Sequence, residues 1–264
     1  MSKQPAFRPH THADRSRIIA LLLPLFRQKF GDDLLAVASC ASYARGEDRA
    51  YSDLELVVFL RSLPVQGDPY LQRIVDGMLV EAEYTTAGEF LERYRLKNAN
   101  WVYAASERLQ PVENPALIAE ITRQSQEIQP DEQALKCVLS RQFVEVFESA
   151  CKALNAIEQG DRQGLPLVFF DAVHHILVLL GLLNRRPFTT LSRMIDEARA
   201  FSIHPARLQE LLDMLVEGTY ACSLDLKDLL YEIVADLENL LANEAVLYYD
   251  ESIDPNLPNL SRTA

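Results

Sequence analysis

The 264 residues suffice for one large domain or two modest ones, and a chain 48% apolar and 24% charged has the balance of a folded protein, not a disordered one. The formal net charge of −12 repels phosphate backbones, which argues against nucleic acid as the main partner and suits a cationic small molecule. Cys40, Cys137, Cys151 and Cys222 form no Cys-x-x-Cys pair and show no zinc-finger spacing, so they read as small buried residues in a reducing cytoplasm. The opening Met-Ser-Lys-Gln-Pro-Ala-Phe-Arg-Pro-His lacks the apolar core of a secretory signal, and a cytoplasmic location is expected.

Apolar residues at Ile18, Ile19, Leu22, Leu23, Phe26 and Phe30 recur at helical spacing and predict a helix over 12–30, stopped by Gly31. Residues 34–40 form a short apolar segment ending in small residues, a first strand. The next strand covers 53–60: it opens on alternating carboxylates and finishes in the buried-looking run Leu56-Val57-Val58-Phe59-Leu60. Pro64 and Gly67 mark 62–67 as a loop. A third strand is expected over 78–85, with Glu81 and Glu83 on one face and Val80, Ala82 and Tyr84 on the other. Thr86 or Gly88 opens a helix to about residue 97, and residues 100–112 read as a fourth, weaker strand.

After Pro115 the spacing turns helical. Asp131 caps a long helix whose apolar stripe is Leu135, Val138, Leu139, Val146, Ala150, Leu154 and Ile157, ended by 160–164. Pro166 starts a nearly all-apolar helix to about Leu183. Asp171, His174 and His175 interrupt that run, which favours a buried helix over a membrane span. Further helices are expected at about 189–200, 205–217 and 223–246. The fold class is α+β: an α+β domain over 1–127, then an all-helical domain over 128–264.

The chemistry concentrates early. Residues i and i+2 of a strand share a face, so Asp53 and Glu55 stand side by side and repel unless a cation lies between them. A hard divalent ion with oxygen ligands is the usual resolution, and Glu81 or Glu83 on another strand could supply a third carboxylate. A bare Asp-x-Glu is more often a solvent-facing strand edge. The upstream segment Ala41-Ser42-Tyr43-Ala44-Arg45-Gly46 raises the signal. Small residues let backbone N–H groups approach phosphate oxygens, Ser42 adds a hydroxyl donor, and Arg45 adds a planar fork for an anionic oxygen.

The order small-Ser-x-x-Arg, then Ser52-Asp53-Leu54-Glu55, resembles the polymerase-beta-type nucleotidyltransferases, whose motif is Gly-Ser-x-x-Arg/Lys-Gly followed by Ser-Asp-x-Asp/Glu. The closer likeness is to the kanamycin nucleotidyltransferases, the aminoglycoside 4′-O-nucleotidyltransferases. It is carried by Phe30-Gly31-Asp32-Asp33, Ala41-Ser42, Arg45, Tyr51-Ser52-Asp53-Leu54-Glu55 and Val80-Glu81, and in the helical part by Phe147-Glu148, Lys152 and Thr189-Thr190. The resemblance implies a small mixed-sheet nucleotidyltransferase domain followed by a helical bundle. It implies that Asp53, Glu55 and Glu81 bind Mg²⁺, and that Ser42 and Arg45 hold the β- and γ-phosphates of ATP. Glu148 would be the general base for an acceptor hydroxyl and Lys152 would steady the α-phosphate. AMP would pass to an aminoglycoside-type antibiotic with loss of pyrophosphate, in a homodimer.

Ala41 stands where that motif has glycine, and alanine is strained there if the backbone needs a positive φ. Two alternatives stay open: another small hydroxyl acceptor such as a lincosamide, or a non-catalytic nucleotide-binding module. From spacing alone Glu148 and Lys152 are equally an exposed pair one helical turn apart. His174 and His175 read as core or subunit-contact residues, and Trp101 and Tyr103 as strand packing.

Overall fold

The computed structural model describes residues 7–64, 70–97, 101–104, 108–221 and 225–246. In chain order its main elements are α1 (His12–Phe30), β1 (Leu34–Ser39), α2 (Ala41–Arg45), β2 (Leu54–Leu60), β3 (Tyr70–Val75), β4 (Met78–Thr85), α3 (Ala87–Leu96), α4 (Trp101–Ala104), β5 (Gln110–Glu113), α5 (Pro115–Glu127), α6 (Glu132–Gln159), α7 (Leu165–Leu183), α8 (Met194–Ala198), α9 (Leu208–Glu217) and α10 (Leu226–Asn243). The chain divides into two compact units. One comprises Met1–Arg95 and Ser106–Pro130, the other Leu96–Ala105 and Asp131–Ala264.

The first unit is built on a five-stranded sheet of order β3-β4-β2-β1-β5. β2 and β4 run parallel, whereas β1–β2, β1–β5 and β3–β4 are antiparallel, so the sheet is mixed and the unit is α+β. α1 starts where Thr11 and Asp14 form a capping box and stops where Gly31 adopts φ 53°. Its Ile18, Ile19 and Phe26 pack against Leu54, Leu56, Val58 and Leu60 on one face of β2. On the other face, Val57 and Phe59 meet Phe90 of α3 and Ile118 and Ile121 of α5. β2 reads as an unbroken apolar run because both of its faces are covered.

This stretch holds one strand beyond those expected and one expectation that needs correction. The residues around 70–75 form β3, an edge strand that spacing does not announce, because most of its side chains are exposed and its pattern does not alternate cleanly. Its signal lies in the two-residue turn Asp76-Gly77, with φ 55° and 81°, the left-handed pair that a tight hairpin demands. Among the described residues, the strand expected over 100–112 is present only at Gln110–Glu113, while Trp101–Ala104 is a helical turn. Adjacent Trp101 and Val102 are both buried, which a helical turn permits and a strand with one wet face does not. Residues 100 and 105–107 of that expectation lie outside the described residues.

The second unit is helical. α6 is capped by Asp131, whose side chain accepts from the Ala134 N–H, and ends at Gly160 with φ 62°. α7 is the core element: every residue from Ile176 to Leu183 is buried, so it is apolar all round. By length and composition α7 could span a membrane, yet most of it is buried inside this unit. A Cβ on Gly181 would come within 3.0 Å of Phe188 and Val102, so glycine is what lets α4 lie so close to α7. Of the cysteines, Cys40 is buried, but Cys137 is exposed and Cys151 partly so. Cys137 falls outside the buried stripe of α6, and Cys222 lies outside the described residues.

Candidate metal and phosphate site

β1 and β2 are antiparallel neighbours with Ser39 opposite Leu56, so the end of β1 lies beside the start of β2. The Cys40 N–H donates to the Glu55 carbonyl at 3.1 Å and fixes where the chain leaves the sheet for α2. β4 flanks β2 on the opposite side, in parallel, with Glu55 in register with Glu81. Along β2, the face that carries Val57 and Phe59 into the core continues towards the strand's start as Glu55 and Asp53. Apolar cover thus gives way to carboxylates on one sheet face.

Asp53, Glu55 and Glu81 converge there. Each offers a carboxylate oxygen, and these oxygens lie within 4.8 Å of one another; all three residues are half-buried. Ligands on one Mg²⁺ with bonds of about 2.1 Å sit roughly 3–4 Å apart, so a small closure would seat an ion. The electrostatics agree with the geometry. Burial, then the neighbouring Glu81 charge, raise the Asp53 carboxyl above its ordinary value, and a hydrogen bond from its own backbone and the charge of Arg15 only partly offset this. Gln72 on β3 orients the group, its Nε2 donating to Glu81 Oε1 at 2.6 Å. Glu83, the other candidate third carboxylate, is instead ion-paired with Arg93.

Ser42 and Arg45 lie on α2. Ala41 opens that turn with φ 53°, so the motif position does require a left-handed backbone and alanine is strained in it. Ser42 is half-buried, and the Glu47 N–H donates to its carbonyl at 2.9 Å. Arg45 is mostly buried and donates from Nε to Glu47 at 3.0 Å.

A polar device that spacing gives no reason to expect holds the approach to Asp53. Arg15 is fully buried; Nη1 donates to Asp48 Oδ2 at 3.0 Å and to the His10 carbonyl at 3.3 Å. Nη2 donates to the Arg49 carbonyl at 2.7 Å and the Ser52 carbonyl at 2.6 Å. Asp48 also meets His12 Nδ1 at 2.7 Å, and the His12 ring stacks on Tyr43 of α2. One arginine therefore ties α1 to the loop that delivers Asp53, while His12 ties α1 to α2. The available signal was a charge at position 15, on the same helical face as Ile18, Ile19 and Leu22.

Glu148 and Lys152 lie in the helical unit on α6. They form an ion pair at 2.8 Å with both side chains more than half exposed. Hydrogen bonding to Lys152 lowers the Glu148 carboxyl below its ordinary value, and the same bond raises Lys152. His174 accepts or donates at 2.7 Å with the Tyr103 hydroxyl, and His175 contacts Gln142 at 3.2 Å, so neither histidine is a bare core residue. Trp101 packs in the core of this unit, and Thr190 caps the short turn that precedes α8.

A nucleotidyltransferase-like protein from Exiguobacterium sibiricum is similar in structure at a TM-score of 0.47 and 13% identity, over 86% of this chain and 75% of that one. A protein of Methanocaldococcus jannaschii, whose name proposes it as a protein adenylyltransferase, is 43% identical over 49 residues, 19% of this chain. The match spans 33% of that relative's length. Residues 118–246, from within α5 to beyond the end of α10, match the family model of the KNTase C-terminal domain.

Proposed function

We propose that this protein is a divalent-metal-dependent nucleotidyltransferase that moves AMP from ATP to a hydroxyl group and releases pyrophosphate. The convergence of Asp53, Glu55 and Glu81 beside the α2 turn carries the reading. The KNTase C-terminal domain match and the adenylyl-transfer name of the archaeal relative support it. The finer reading is an aminoglycoside-type antibiotic as acceptor, supported by that domain match and by a net charge of −12. The apolar lining of a cavity beside Asp53 favours a second acceptor class, a small hydroxyl compound that is not a polycation. We expect the enzyme to act in the cytoplasm as a homodimer, which light scattering on the purified protein would test.

Asp53, Glu55 and Glu81 would hold Mg²⁺, which when bound offsets the charge on the transferring phosphoryl oxygens. Ser42 would donate to a phosphate oxygen. Arg45 would exchange Glu47 for the β- and γ-phosphates, a better match to its fork than one carboxylate. Glu148 would take the proton from the acceptor hydroxyl, and Lys152 would steady the α-phosphate. Their ion pair gives this assignment a built-in order. While Lys152 holds Glu148, the carboxylate is a poor base. Once the ammonium turns to phosphate, Glu148 regains proton affinity, so the base sharpens when nucleotide is present.

The test is direct. Protein, MgATP and a panel including kanamycin and lincomycin are incubated, with acceptor mass and pyrophosphate release as readouts. A nucleotidyl adduct lost in Asp53→Asn is expected. No adduct on any acceptor, and pyrophosphate release equal in wild type and Asp53→Asn, would sink the reading.

A further inference from the structure

Two cavities of the sheet unit meet at the carboxylate cluster. The smaller, about 260 Å³, is lined by Glu55, Glu81 and Glu83 and reaches Cys40, the residue before the Ala41-Ser42 turn. The larger, about 410 Å³, has Asp53 in its wall and lies on the hairpin side, against Gly77, Met78 and Leu79. Its lining is apolar and aromatic: Phe7, Tyr51, Ile74 and Leu79 all present exposed side chains to it. The charges beside it are already matched, since Arg8 pairs with Asp76 and His10 bonds the Asp76 carbonyl. Among the described residues, Asp53 is the only acidic side chain in its wall.

The arrangement has a chemical reading that rests on the nucleotidyl-transfer proposal. In-line displacement at phosphorus puts the attacking hydroxyl opposite the leaving pyrophosphate. The α2 turn borders the smaller cavity, so the polyphosphate belongs there. The smaller cavity itself reaches β3 through Tyr70 and Gln72, so the two are separated along the strands: Glu55, Val57, Glu81 and Glu83 line the smaller, and Asp53, Met78 and Leu79, nearer the starts of β2 and β4, line the larger. The attacking group therefore enters from the starts of these strands, where the larger cavity opens. That cavity is the size of a small-molecule site, and its lining rewards buried apolar surface rather than ammonium groups.

We propose that the cavity between Tyr51 and the β3–β4 hairpin binds the acceptor through an uncharged, ring-bearing apolar portion, and that Asp53 marks the end at which the acceptor's hydroxyl lies. The preferred acceptor is then an uncharged aryl or alicyclic alcohol, and a polycationic sugar is a poorer one. Transfer forms a bond from acceptor oxygen to the α-phosphorus and breaks the α–β bridging bond; the hydroxyl proton goes to the base and pyrophosphate leaves.

The test uses the full-length protein and 2-naphthalenemethanol as probe, by saturation-transfer NMR and by turnover with MgATP. Binding is expected to weaken at least tenfold in Ile74→Glu, whose side chain is on an exposed edge strand. In turnover the same variant should raise KM for the probe at least tenfold, a larger change than in kcat. Leu79→Glu should act likewise and guards against a folding artefact in either variant. Kanamycin turnover with no binding of the probe overturns the cavity assignment and leaves the nucleotidyl-transfer reading standing. Equal probe affinity in wild type and both variants overturns it too. Probe binding lost in the variants, with no adenylylation or pyrophosphate release from any acceptor, overturns the acceptor role together with the reading on which it rests.

Discussion

The carboxylate cluster of the sheet unit and the ion pairs of the helical unit hold acidic side chains in opposite ways. In the sheet unit, Asp53, Glu55 and Glu81 crowd their oxygens within 4.8 Å, and Glu81 pushes the Asp53 carboxyl upward. In the helical unit, carboxylates on the surface meet cations of their own chain: Glu148 with Lys152, Glu132 and Glu244 with Arg185, Glu210 and Glu232 with Arg207. Exposed pairs of that second kind contribute roughly 0–1 kcal/mol each and need no ligand to explain them. The first kind works against folding until a cation arrives. A cluster left in repulsion is therefore informative about function, and a satisfied pair is not.

The largest expected effect tests whether the sheet unit really invests in holding that cluster. Arg15→Met removes the partner of buried Asp48 and orphans the carbonyls of Arg49 and Ser52. A loss of about 3–5 kcal/mol is expected in urea unfolding. A loss under about 1 kcal/mol would mean that water satisfies the loop, and the contrast between the units would fail.

Asp53→Asn should act on activity rather than on folding. Turnover should fall roughly 10²–10³-fold, as when one group that stabilises transition-state charge is removed. Without metal, the same change should stabilise the fold. Asp53 titrates above its unfolded value, so just above the ordinary aspartate range the folded protein holds more protons than the unfolded chain. Stability of the metal-free protein should then fall as pH rises from the ordinary value through the raised one. Mg²⁺ should remove that slope in wild type, and Asp53→Asn should lack it; thermal melts across pH, with and without Mg²⁺, read both. A slope unchanged by Mg²⁺ would separate the carboxylates from metal binding.

Ala41→Gly is a smaller test of the same unit. It relieves a left-handed alanine at φ 53° but adds freedom to the unfolded chain, for a net gain of about 1 kcal/mol. That residue also shows what could be read in advance. A strand's two-residue period and a helix's spacing are local, so α1, β4 and the shared face of Asp53 and Glu55 were legible from neighbours in sequence. The question at Ala41 was legible, but its answer, a positive φ, needed coordinates. β3 was hidden because an edge strand with wet side chains carries little hydrophobic pattern. Arg15 was hidden because its partners Asp48, Arg49 and Ser52 are more than thirty residues away and nothing in the local spacing of position 15 names them.

The smallest expected effect falls on the satisfied pair, and it can overturn the contrast. Lys152→Met breaks a bond between two exposed side chains, so the melting temperature should not move measurably. The pH profile should. Glu148 sits below the ordinary glutamate value because Lys152 donates to it, and losing that donor lets it rise. A base must be deprotonated to act, so the acidic limb of kcat/KM, which reports the free enzyme, should shift to higher pH in the variant. The limb of kcat reports the complex. If Lys152 has already turned to phosphate there, wild type should show its kcat limb above its kcat/KM limb, and Lys152→Met should bring the two together. Limbs that coincide in wild type and stay put in the variant would return Glu148 and Lys152 to a surface pair, leaving the proton to another group.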